Sequence, residues 1–140
     1  MTGRIVGLSN IPTSNHIVLG SGETKYLHCA ADIFLTGLYQ TDVQGTASCP
    51  VCGTIIQVRM TNGKIISLQP SRALLHYVMF PVHDPSKFGI QCDETFLFDE
   101  KKCLESWKKS YRGSPGKVVS PKDFLAVFSL IRQRRSMTNF

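Results

Sequence analysis

Residues 54–68, TIIQVRMTNGKIISL, constrain the fold more than any other stretch of the chain. Two runs rich in β-branched and aliphatic residues flank Asn62-Gly63, a pair that accepts the positive φ angles of a tight hairpin turn. Such a segment commits the chain to antiparallel pairing. ALLHYVMF, residues 73–80, reads as a further strand stopped by Pro81, and TFLF, residues 95–98, as a short buried one. Residues 4–8 and 15–20 read as an N-terminal hairpin joined by the turn-rich SNIPTSN. The segment PVHDPSKFGIQ reads as loop with a helical turn.

Helical spacing occupies the rest. Ile33, Phe34, Leu35, Leu38 and Tyr39 crowd one surface of a helix expected over 29–39. In DEKKCLESWKKSY, Cys103, Leu104, Trp107 and Tyr111 recur at spacings of three and four, with Asp99 as the expected cap. The last helix is expected to open with Ser120 as cap, Pro121 at its first position and Asp123 at its third, and to end in Arg132, Arg134 and Arg135. The class is α+β: a mostly antiparallel sheet packed against several helices in a single domain. A length of 140 residues supports one core, and 42% hydrophobic with 19% charged residues excludes a disordered chain.

No apolar run approaches the roughly 18 to 20 residues that span a bilayer, and no signal-peptide pattern opens the chain, so a cytoplasmic protein without a membrane partner is expected. Five cysteines suit thiols, metal ligands or buried apolar groups better than a disulfide scaffold. The net charge of +6 reads as a solvated basic surface. A nucleic-acid module is the weaker reading, since no aromatic stacking pattern or recognition helix accompanies the charge.

The chemistry-bearing residues are cysteines and one aspartate. Cys29 and Asp32, three positions apart in YLHCAAD, can share one face at a helix start, where a thiolate is favoured. The alternative is a small buried thiol beside a helix-stabilising carboxylate. Cys49 and Cys52 form CPVCG, the knuckle of zinc ribbons, which needs two more ligands; Cys92, Cys29 or a histidine would have to supply them. A reducible dithiol or plain packing are the alternatives. Cys92 lies between loop and strand, where it can point into the same cavity as Cys29; the alternative is again a buried cysteine. Cys103 reads as core packing beside Leu104 and Trp107, so that its truncation to alanine costs on the order of 1 kcal/mol. His16, His28, His76 and His83 are scattered singly and carry no mechanism.

At YLHCAAD the chain resembles the catalytic domain of organomercurial (alkylmercury) lyases. The similarity begins at GRIVGL and continues through SNHIVLGSGETKYLHCAAD, SCPVCGTIIQV, IQCDETFLF and ESWKKSYRG, covering residue 3 to about 130 as an ordered series. It implies an α+β catalytic domain over residues 1–140 without the family's N-terminal winged-helix-like region. It also implies a catalytic trio on Cys29, Cys92 and Asp32, with Cys92 matching one member of an adjacent cysteine pair, and a structural cysteine at Cys49. His28 and Gln91 stand where the family commonly has aromatic residues, and Cys52 adds a C-x-x-C.

The implied reaction is protonolysis of R-Hg to RH and thiolate-bound Hg(II), with mercury as substrate and no cofactor required. Soft mercury(II) suits Cys29 and Cys92, and Asp32 is the implied proton donor. Phe34, Phe88, Phe96 and Ile90 are candidates to wall the pocket. Soluble thiols or a mercuric reductase are the expected acceptors of Hg(II). The alternative is a non-catalytic thiolate carrier of zinc or copper on the same fold.

Overall fold

The structure, a computed structural model, describes residues 8–9, 11–78, 94–113 and 115–138, with Leu8 and residues 131–138 described by backbone alone. Its first sheet has six strands in the order β1-β3-β2-β4-β5-β6. These are β1 (Leu8–Ser9), β2 (Asn15–Leu19), β3 (Thr24–Leu27), β4 (Asp42–Ser48), β5 (Ile55–Thr61) and β6 (Lys64–Gln69), all antiparallel to their neighbours. The hairpin expected at Asn62-Gly63 joins β5 to β6, with φ of 51° and 81° at the two turn residues. A register shift between Arg59 and Met60 adds twist to this edge.

The N-terminal pairing differs from expectation. β2 forms its hairpin with β3, and β1 pairs with β3. Thr24–Leu27, to which the residues alone assign no element, is a strand because β2 and β1 supply its ladder on both sides. Residues 4–7 lie outside the described residues, as do 79–93 and with them the end of ALLHYVMF, all of PVHDPSKFGIQ, Phe88, Ile90 and Cys92.

One face of the first sheet is apolar. In β4 the buried residues are Val43, Gly45 and Ala47, and in β5 they are Ile56, Val58 and Met60, the alternation of a sheet covered on one side. α1 (Ala31–Gly37) lies on that face, shorter than the expected 29–39, and every one of its residues is buried. Gly45 makes the close approach possible, since a Cβ there would overlap Ile33 Cγ2. The helix is thus roofed on one side by β2, β4 and β5 and meets α3 (Pro121–Thr138) on another.

The second sheet has three strands in the order β8-β7-β9, formed by β8 (Phe96–Phe98), β7 (Leu74–Tyr77) and β9 (Lys117–Val119). α2 (Lys101–Ser110) packs on β8, and α3 packs on β7 and β9. A T-shaped contact of 6.1 Å between Phe34 and Phe124 links α1 to α3, and Tyr77 meets the same Phe124 at 5.1 Å. β4 also touches β8, so the two sheets meet at one corner around a single continuous core.

Candidate functional site

Two groups of chemistry-bearing side chains stand out, one at the start of α1 and one at the turn between β4 and β5. Cys29 and Asp32 are at the start of α1, each about 1% exposed. Cys29 precedes the helix: its carbonyl accepts from the Asp32 backbone N–H at 3.2 Å, and Ala30 accepts from Ile33 at 3.2 Å. This pair of turn bonds turns the chain from β3 into α1 and places Asp32 second in the helix. Ile33, Phe34 and Leu35 follow, all buried, so Asp32 opens a helix that lies within the core. Ala30, between the pair, lines a cleft of about 160 Å³ together with Ser14, Asn15, Ser48, Cys49 and Phe96. Of the expected pocket walls, Phe34 is in the core and Phe96 borders this cleft. The third member of the expected trio, Cys92, lies outside the described residues.

The second group is at the corner where the sheets meet. Cys49 and Cys52 form the tight turn between β4 and β5. The Cys49 N–H donates to the Thr54 carbonyl at 2.9 Å, and the Gly53 N–H returns to the Cys49 carbonyl at 2.9 Å, with Gly53 at φ 77°. That positive φ is why glycine follows the second cysteine. Facing the turn are Asp99, just past β8, and Cys103, in the first turn of α2. The four side chains bring three sulfurs and a carboxylate oxygen within 4.8 Å of one another.

This corrects one expectation. Asp99 does not cap α2: the cap position is Glu100, with φ −155° and ψ 163°, and no side chain caps the helix. Freed from that task, the Asp99 carboxyl turns toward the thiols. Cys103 is buried, as packing predicts, and its sulfur also lies in the Cys49–Cys52 group; among the described residues neither Cys29 nor a histidine joins that group. A signal was present in the sequence: Asp99 and Cys103 are four apart across a helix start, a spacing that puts two side chains on one face.

The electrostatics of the corner are those of acidic groups pressed together. Burial pushes the Asp99 carboxyl up, but the thiols of Cys103, Cys52 and Cys49 and the charge of Arg72 outweigh it and hold it below its ordinary value. The Cys103 thiol is pushed far up, first by the Asp99 carboxyl and then by burial. Cys52, at the surface, is lowered, chiefly by Thr54, whose Oγ1 lies 3.1 Å from its sulfur.

Among the histidines, His76 is structural. Its Nδ1–H donates to the Glu94 carbonyl at 2.9 Å, and its ring meets Trp107 and Tyr111 edge-on at 4.9 and 5.1 Å.

The model of a protein family described as MerB, alkylmercury lyase, matches residues 8–131. Ten chains of solved structures match. One is the crystal structure of the mercury-bound form of MerB2, 30% identical, with a TM-score of 0.69 over 86% of this chain and 58% of that one. The chain therefore spans less than two thirds of the length of that relative. No curated protein sequence matches.

Proposed function

Because the chain belongs to the alkylmercury lyase family, its model matching residues 8–131, we propose that it cleaves the carbon–mercury bond of organomercurials by protonolysis. The observation that carries the reading is the placement of Cys29 and Asp32 together, both buried, at the turn into α1. Cys29 would take R-Hg as a thiolate, releasing the original counter-ligand with the thiol proton. Cys92, assigned by its place in the sequence series, would add the second sulfur, its thiol proton passing to the Asp32 carboxylate. Donation from two thiolates to mercury weakens the carbon–mercury bond. Asp32, as the neutral acid, would then pass its proton to the carbon, which keeps the bonding electron pair and leaves as RH. Hg(II) remains on the two sulfurs, and Asp32 is ready to receive the next thiol proton.

The reaction needs no resident cofactor in this reading: mercury is substrate and product. Exogenous thiols are the natural acceptors for Hg(II), because only further sulfur ligands compete with a dithiolate, and a mercuric reductase is a protein source of such thiols. Among the described residues no helix is long and apolar enough to cross a membrane, which suits the cytoplasmic setting we assign.

The test is a headspace assay of the reduced full chain with phenylmercury and excess small thiol. Benzene should appear with the wild type and be absent with Cys29→Ser, while Asp32→Asn should bind mercury and release no benzene. A folded wild type that releases none, or an Asp32→Asn variant at full rate, would overturn the mechanism.

A further inference from the structure

We propose that Cys49, Cys52, Asp99 and Cys103 form a tetrahedral zinc site that ties the β4–β5 turn of the first sheet to the end of β8 and the start of α2. The donor count is four, the number of a closed structural zinc site. Sulfurs held about 2.3 Å from a shared tetrahedral ion are about 3.8 Å apart. The four donor atoms lie within 4.8 Å of one another, so the site closes by a shift of roughly an ångström or less.

The donor set selects the metal. Three thiolates exclude magnesium and calcium, which take oxygen; the carboxylate disfavours copper(I), which seeks sulfur alone; tetrahedral sulfur with one oxygen suits zinc. Two further features point to a ligand. Asp99 is 7% exposed, and its Oδ1 is buried with no hydrogen-bond partner among the described residues. Buried carboxylate oxygens left unpaired are costly, and a cation at this position would satisfy this one. The turn itself is a C-x-x-C-G knuckle, with the bonds from Cys49 to Thr54 and from Gly53 back to Cys49 already formed. Binding would release the thiol protons to solvent and leave three thiolates and one carboxylate on the ion. Cys29 lies outside this donor set, so the site does not depend on the proposed lyase reaction.

The experiment measures zinc on the reduced full chain after expression with zinc and dialysis against a weak chelator, followed by cobalt(II) substitution. One zinc per chain is expected in the wild type and in Cys29→Ser, with the thiolate-to-cobalt charge-transfer absorption and the visible bands of a tetrahedral site. Cys52→Ser, at an exposed position that leaves the core untouched, should lose both the zinc and the cobalt spectrum, and Cys103→Ser likewise. A strong chelator should lower the thermal midpoint of the wild type and leave that of Cys52→Ser unmoved. Zinc-free wild type under these conditions, or zinc that survives Cys52→Ser and disappears with Cys29→Ser, would overturn the assignment. Because benzene release is read separately, failure here and failure of the lyase reading are distinguishable.

Discussion

Gly45 shows how a single absent side chain positions the chemistry. It faces the core from β4, and a Cβ there would overlap Ile33, the neighbour of Asp32 in α1. Ile33 is β-branched and has little rotamer freedom in a helix, so Gly45→Ala must push α1 off the sheet. A loss of about 1–3 kcal/mol is expected, read as a lower urea midpoint, together with slower benzene release. Gly37→Ala is the control. Its Cβ would meet Met60 Sδ and Cε, the far end of an adaptable side chain, and helix propensity offsets part of the strain, so it should cost less. At this scale the sequence was informative about Cys29 and Asp32, whose spacing is local. Cys103 is in the core, as its spacing on an amphipathic helix predicts, but spacing alone does not show that its sulfur also stands beside Cys49, Cys52 and Asp99.

Among the elements, legibility followed composition. β5 and β6 carry β-branched and aliphatic residues around a turn that only Asn-Gly satisfies easily, and both are found where the residues place them. β4, DVQGTAS, holds few strand-favouring side chains, and its conformation is imposed by β2 and β5 pairing on either side. β9 is three residues between two helices and is defined only by its ladder with β7. The start of α3 was legible because its cap is local: the Asp123 N–H donates to Ser120 Oγ at 3.1 Å. Ser120→Ala should therefore cost about 1 kcal/mol, measured by chemical denaturation, without effect on mercury or zinc binding.

For the whole molecule, the second sheet sets a pH dependence. His76 is buried in β7, and burial pushes its imidazole below the ordinary 6.5, against the opposing pull of the Glu94 carbonyl and carboxylate and with the Lys108 charge adding to the depression. The unfolded chain therefore binds this proton more readily than the folded one, and stability rises with pH through that window. Acidification from above 6.5 toward the folded value should lower the unfolding free energy, and His76→Gln should flatten that part of the profile in a urea titration. An unchanged slope would remove His76 as the cause. The packing of both sheets around one core was not readable from the chain, since it depends on β4 meeting β8 across some fifty residues of sequence.

The complete burial of α1 reaches beyond packing. A helix with no solvent face exposes little to local opening, so its amide hydrogens are expected to exchange on unfolding of the domain, which native-state hydrogen exchange would check. The aspartate assigned as proton donor is thus expected to sit in a slowly exchanging part of the molecule, so that its place beside Cys29 in the chain lasts as long as the fold.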